Sequence, residues 1–544
     1  MNLAKIGLSG INAASHNLQT TGHNISNAAT EGYNRQSVSI STAGSQSIGS
    51  GFIGRGVAVD TVNRSYDGFL YRQLVRAEST GAALTAYGTE ITQLNNLFAD
   101  RTVGISPTLA KFFDSVDAVA SSPSDPAARN EMLGRANALA AQINDAQAFI
   151  DAQRGDVNTQ LGTLVKQINS QAQRIQELNQ SILEARAGNP NHAPNDLLDQ
   201  RDLAVKDLNQ LIDVRVLEQD GTFNLTIGNG QMLLGGSQLF PLQVVPSAND
   251  PARMTVAYSV QKTGGGTLAV EMPETSIKGG TLGGLMQYRY EVLDATQNEL
   301  GRLAVGLALE FNQVHEGGFD QNGASGKSFF DVAQPKVIRG QGTQGNLAVT
   351  FNDTDALTGH DYQLRFDGTN YVVTDLTTGK TVHESGTPPG VLDGLDFSAL
   401  SGVQEGDSWM IQPTRNAAAS LSVQLTDAAN IAAGAKGGDA DGDNALLLAK
   451  LRSAKTLGEG TLDFNEAYSR IVNSVAVHAQ SNGTAAKAQL SLIQQNLSAQ
   501  QAVSGVNLNE EYVNLMQYQE HFRAASRLID VSSTLFDTLL GLKA

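Results

Sequence analysis

Few stretches of this chain have the residue types and spacing of a chemical site. Gly49 to Gly54, GSGFIG, has the glycine spacing of a dinucleotide loop, in which amides at a helix N-terminus hold a phosphate. Such a loop needs a buried strand before it and a helix after it, and this sequence offers neither, so the run reads as a flexible glycine loop. Asp439 to Asn444, DADGDN, alternates carboxylates as a calcium loop does. Its glycine stands fourth rather than sixth, and the twelfth place is Lys450, a cation where a bidentate glutamate is required. It reads as a solvated turn opening a helix. His315-Glu316 begins the zinc pattern H-E-x-x-H, but Gly-Gly-Phe follows and the second histidine is missing. The nearest two of the eight histidines, His16 and His23, would stand about 10 Å apart along a helix, too far to share one metal. No Gly-x-Ser-x-Gly elbow occurs, and with no cysteine there is no disulfide, thiolate metal site or cysteine nucleophile. The sequence therefore assigns no catalytic residue, no cofactor and no metal.

Binding chemistry is bounded by charge. The chain of 544 residues carries a formal net charge of -17 without any cluster of lysine or arginine, which argues against nucleic acid and against an anionic membrane surface as partners. Hydrophobic residues make up 41% and charged residues 17%, so the chain folds, and its length calls for two to four domains. No apolar run approaches the ~20 residues of a membrane span. The opening residues break their apolar positions with polar ones, so no signal-peptide core forms. The expectation is a cytoplasmic protein, unless it leaves the cell by a route without a cleaved signal.

The elements that position any site are mostly helical. Leu508, Leu515, Phe522, Ile529 and Phe536 fall seven apart, with Tyr518, Ala525, Ser532 and Leu539 three residues after four of them. This is an a/d heptad over roughly five repeats, about 50 Å of helix. At the other end Ala4, Ile11, Leu18 and Ile25 repeat the period, with Gly7, Ala14 and Thr21 as companions. That seam is thinner and lets another helix come close. The two ends either pair inside one globule or pair and associate further, and the second suits the apolar surface that a two-helix unit leaves exposed.

Further helical zones run from about Asn130 to Ala187, Gly283 to His315, and Ala417 to Ala502. GNPNHAP (188–194) ends the first, and Asn195 stands where it would cap the next helix. Two segments carry strand chemistry instead. Residues 213–275 alternate Phe223, Leu225 and Ile227 between Asp220-Gly221 and Asn229-Gly230 turns, and 330–413 has turns at Asp367-Gly368 and Thr378-Gly379. The fold class expected is α+β and multidomain: a long α-helical rod or coiled-coil bundle, formed by both termini and the central helices, with inserted all-β domains. Its parts are a terminal coiled-coil domain (1–36 plus 505–544), a helical rod domain (60–212 plus 280–325 plus 415–504), a β domain (213–275) and a variable β domain (330–413).

One polar run has a resemblance to carry. In HNISNAATEGYNRQ (23–36), Asn24, Ile25, Asn27, Thr30, Gly32 and Tyr33 resemble the N-terminal signature of the bacterial flagellar rod and hook axial proteins. Arg35-Gln36, then GRGVAVDTVNRSYDGFLYRQL (54–74), NDLLDQRD (195–202), GGTLGGLMQYR (279–289), EFNQVHEGGFDQNG (310–323) and GVNLNEEYVNLMQYQEHFRAASRLI (505–529), look like the first type of hook-associated protein within that family. Only 330–413 matches poorly, apart from GDSWMIQPTR.

The resemblance implies a structural junction between hook and filament, exported unfolded through the flagellar type III apparatus and placed outside the cell. Its implied partners are the hook protein, the third hook-associated protein, further copies of itself in a ring, and an export chaperone on the C-terminal helix. The candidate assembly residues are Ile11, Leu18, Asn24, Ile25, Asn27, Thr30, Gly32, Tyr33, Arg35, Gln36, Leu508, Leu515, Tyr518, Phe522, Ile529, Phe536 and Leu539. Asn24, Ser26, Asn27 and Thr30 suit side-chain closure of the first helix. Gly32 permits a reversal. Tyr33 and Arg35 would face a neighbouring subunit, the arginine pairing with a carboxylate there. The alternatives are an ordinary helix-ending loop and, for the whole chain, a secreted adhesin or effector on a helical stalk.

Overall fold

The computed structural model describes residues 2–49, 51–99, 104–190, 192–228, 230–261, 266–436 and 440–542. Helix α1 (Asn2–Asn27) leads into an antiparallel arm. Strand β1 (Gln36–Thr42) pairs with β4 (Val57–Arg64), and β2 (Ser45–Ile48) pairs with β3 (Gly51–Gly54) beyond them. The expected glycine loop is thus largely strand, with Ser50 outside the described residues. No alternation of apolar residues announced it because β3 is exposed along its whole length.

Four helices follow: α2 (Gly68–Ala99), α3 (Ile105–Ser121), α4 (Pro126–Gly188) and α5 (Asn195–Leu211). Asp125 caps α4 through the Ala127 amide, Pro126 presets its first turn, and Ile143, Ile150, Val157, Leu161, Ile168 and Ile175 form its buried stripe. Asn195 does not cap α5. Pro194 holds that position, and the Asn195 amide donates to the Val62 carbonyl at 2.8 Å, tying α5 to the arm.

The first β region comprises β5 (Val214–Gln219), β6 (Thr222–Ile227), β7 (Gln231–Gly235) and β8 (Gln238–Leu239) in one sheet. Beside it, β9 (Leu242–Pro246), β10 (Met254–Gln261) and β11 (Thr267–Glu271) form another, ordered β11-β10-β9. Asp220 (φ 53°) and Gly221 (φ 79°) make the tight turn between β5 and β6. Asn229 of the second expected turn lies outside the described residues.

Helices α6 (Gly280–Tyr288) and α7 (Asp294–Glu316) are joined by a π turn over Arg289–Leu293. The second β region holds β12 (Phe330–Asp331), β13 (Lys336–Arg339), β14 (Asn346–Phe351), β15 (Tyr362–Phe366), β16 (Tyr371–Asp375), β17 (Thr381–Ser385), β18 (Val391–Leu392), β19 (Leu395–Ser401) and β20 (Ser408–Gln412). Its larger sheet runs β13-β20-β15-β16-β17 around the buried Trp409.

The helical zone expected over 415–504 is corrected in its first half. Between α8 (Ala417–Ser420) and α9 (Asp443–Lys450) the described chain is mostly extended, with β21 (Ser422–Val423) paired to β12 and a single 3-10 turn at Ala428–Asn430. Its apolar residues Leu421, Ile431 and Ala433 are core, which made the segment look helical. Side chains of α4 satisfy its carbonyls instead: Arg129 donates to Ile431 O at 2.8 Å, and Asn144 to Leu421 O at 3.2 Å. In the DADGDN run, Asp441 accepts from the Ala435, Lys436 and Asp443 amides, while Asp439 lies outside the described residues. Long helix resumes after α9 with α10 (Phe464–Ser504), opened by the Asp463–Glu466 capping box, and α11 (Leu508–Gly541), capped by Asn507.

One contiguous core runs from Tyr87 to Val475 through both β regions. Helix α10 lies along α2, and α11 lies along α1. The terminal pair stands outside the core, and its buried apolar residues are small: Ala13, Ala14 and Ala525.

Candidate assembly interface

Small residues set the approach of α1 to α11. A β-carbon placed on Gly7 would stand 2.8 Å from Ile529 Cγ1, and one on Gly10 would stand 3.0 Å from Ala525 Cβ. Because the helices meet through glycine and alanine, the large residues of the heptad are left outside. Leu508, Phe522, Phe536 (58% exposed) and Leu539 (66%) face solvent, while Leu515, Tyr518 and Ile529 are half-buried. On α1, Ile11, Leu18 and Ile25 are likewise half-buried.

The signature residues close the base of this pair. Ser26 and Asn27 donate back to the Gly22 and His23 carbonyls, and Thr30 donates to Asn27 Oδ1 at 3.2 Å, ending α1. Gly32 takes φ 79°, and a β-carbon there would meet Leu203 Cβ at 3.0 Å, so the reversal needs glycine. The chain then returns past Asn24. That buried amide donates to Gln36 O (2.9 Å) and Glu511 Oε2 (3.2 Å) and accepts from Gln36 N (2.9 Å) and the Tyr33 hydroxyl (2.7 Å). Burial, with Asp196, Asp199 and Glu511 nearby, raises the Tyr33 pKa and keeps its hydroxyl a donor.

Tyr33 and Arg35 find partners inside the chain, where a neighbouring subunit was expected. Arg35 Nε donates to Glu511 Oε1 at 2.7 Å, and its backbone amide donates to Ser504 O at 2.9 Å. Residues 24, 33, 35 and 36 therefore splice the end of α1 to the start of α11. Glu511 sits at the heptad position that a tyrosine, alanine, serine or leucine fills in the later repeats, and its burial against Asn24 and Arg35 explains the exception.

A second group was missed in the sequence. Asp199 accepts from the Asn34 amide nitrogens at 2.9 and 2.6 Å, Arg64 bridges Asp199 and Asp202 at 2.7 Å each, and Gln36 donates to Asp196 at 2.7 Å. Burial opposes the charge on Arg64, but the two carboxylates outweigh it and raise its pKa. The signal was present in NDLLDQRD: Asn195, Asp199 and Asp202 recur at helical spacing, so a polar stripe on α5 awaited a basic partner. Among the described residues, no three metal-binding side chains gather, and no helix is long and apolar enough to cross a membrane.

First and last segments are spliced into one two-helix unit, with a helical body and β regions beyond it, which is the architecture the resemblance to structural axial proteins implied. Family comparison makes this specific. Residues 91–330 match the flagellar hook-associated protein FlgK helical domain, 339–413 the D2-like domain of flagellar hook-associated protein 1, and 499–542 the C-terminal domain of the basal body rod proteins FlgEFG. Flagellar hook-associated protein 1 of Salmonella typhimurium is 36% identical over 98% of this chain and 99% of its own length. That of Escherichia coli is 35% identical over 98% of each. The solved flagellar hook junction protein FlgK of Burkholderia pseudomallei superposes with TM-score 0.73 at 29% identity, over 79% of this chain and all of that one. The chain belongs to the flagellar hook-associated protein 1 family.

Proposed function

We propose that this chain is the adaptor between hook and filament, standing in a ring with the hook protein on one side and the third hook-associated protein on the other. The terminal unit, 1–36 with 505–544, is the part that joins the axial tube, while the rod and the β domains 213–275 and 330–413 project from it. The observation that carries the reading is the exposed stripe on α11 beside a seam of glycine and alanine. Covering Tyr512, Met516, Leu535, Phe536 and Leu539 with neighbouring helices would stabilise assembly by on the order of 1 kcal/mol per side chain. Before export the same stripe would be the binding face for a chaperone, and the chain would leave without a cleaved signal. Hydrogen exchange on the dilute protein, repeated with isolated hooks, tests this. Protection gained over 1–36 and 505–544 on hooks supports the adaptor; ends equally protected with and without hooks refute it.

A further inference from the structure

At the level of the first turns of α2, helix α5 separates α2 from α4. The Tyr71 hydroxyl donates to Asp202 O at 2.5 Å, Lys206 lies 3.8 Å from Glu78, and Arg201 on the other side of α5 reaches Asn179 of α4 at 3.2 Å. The order across the body is α10, α2, α5, α4, so the outer flank of α2 with α10 and the outer face of α4 point away from each other at one height.

These two flanks are complementary. Between α2 and α10 runs an open groove of about 400 Å³ with Phe69 (67% exposed), Arg72, Arg76 and Leu492 on its walls and Asn496 in its floor. Among the described residues neither guanidinium is ion-paired, although the chain as a whole is strongly acidic. On α4, the carboxylates of Glu177 and Glu184 accept, among the described residues, from glutamines of their own helix, and the exposed Leu183 stands beside them. Arg186 lies close by but reaches toward the β5–β6 turn at Gly221.

We infer that the α2–α10 groove of one copy takes the end of α4 of the next, Leu183 entering beside Phe69 and Leu492 while Glu177 and Glu184 meet Arg72 and Arg76. Two unlike patches on opposite flanks at one height make a heterologous contact, which repeats around an axis rather than closing into a pair. The groove reaches Asn496 on α10, the helix that ends at Ser504 ahead of α11 (Leu508–Gly541), so this contact would lie outward of the terminal-helix interface. It rests on the assembly reading and names the lateral partner within it.

Since the chain has no cysteine, Arg76→Cys with Glu184→Cys places the only thiols on the two flanks. Oxidation of this full-length variant on isolated hooks should give a ladder of cross-linked copies. Arg72→Glu with Arg76→Glu should lower decoration of hooks at least about tenfold, as should Glu177→Lys with Glu184→Lys, and the four changes together should restore it. Hooks fully decorated without a ladder, or decoration indifferent to charge reversal, would overturn the lateral contact and leave the adaptor intact. A wild-type chain that failed to decorate hooks would overturn both.

Discussion

Asn24→Ala removes a side chain that joins α1, the arm and α11. Four hydrogen bonds end on it: two with the Gln36 backbone, one from Tyr33 and one to Glu511. A typical bond contributes about 1 kcal/mol net, and a buried group left unpaired costs about 1–3 kcal/mol more. Water reaches the half-buried Tyr33 but not the buried Gln36, so we expect a loss of about 3 kcal/mol in the closure of this splice. That is roughly a hundredfold rise in opening. The assay is hydrogen exchange at the Gln36 amide in hook-assembled protein, with the number of copies per hook counted in parallel. Asn24→Asp is the sharper control. It keeps an acceptor for Gln36 N and Tyr33 but sets a carboxylate against Glu511, so it should open at least as far. If Gln36 exchanged at the wild-type rate in both variants, the splice would not depend on Asn24, and the reasoning from its four bonds would be wrong.

Gly32→Val must adopt a positive φ at a cost of roughly 1–2 kcal/mol and press on Leu203, so fewer copies per hook are expected, with an unchanged melting profile for the helical body. A chain ending at Ser504 lacks α11 and should lose cytoplasmic chaperone binding in pull-down; binding at full strength would sink the chaperone proposal. His315 gives a pH prediction. Its Nδ1–H donates to Lys327 O at 2.6 Å, its Nε2 accepts from the Ala432 amide at 2.9 Å, and burial lowers its pKa below 6.5. The unfolded chain then binds the proton first, so body stability is full above about pH 6.5 and falls with acidification through the window beneath it. The urea midpoint of the helix signal should drop between pH 7 and pH 5, and His315→Gln should flatten that slope.

The elements legible in the sequence were those whose burial is periodic. Helix α4 repeats apolar residues over a face that is covered along its whole length, and the heptad of α11 is written in its own side chains. Strand β3 left no trace because both its faces are exposed, and the mostly extended chain between α8 and α9 passed for helix because its backbone is satisfied by Arg129 and Asn144, 302 and 277 residues away. At the site, residue types were readable but direction was not. The sequence shows that Arg35 wants a carboxylate; that the carboxylate is Glu511 of the same chain depends on α10 returning along α2 to deliver it.

That delivery connects the terminal unit to the first β region through short polar contacts, several of them charged. From Glu511 the path runs through Asn24 to Gln36, whose side chain bonds Asp196 of α5, while Asn34 and Arg64 of the arm grip Asp199. On the same helix Arg201 donates to Gly221 O at 2.8 Å and lies over the Phe223 ring at 3.4 Å, reaching the β5–β6 turn. Each step is a buried or half-buried polar contact, which fixes direction more than it adds stability, because a buried ion pair recovers little beyond its own desolvation. A displacement of α11 at its base is therefore expected to reach the β region partly through α5, beside the packing of that region on α4. Arg201→Met tests this link. It keeps most of the packing on Phe223 and removes the bonds to Gly221 and Asn179. The measurement is a distance distribution between spin labels on single cysteines introduced at Tyr512 and Gln219. It should broaden in the variant while copies per hook stay constant. An unchanged distribution would mean that the β region takes its orientation from α4 alone.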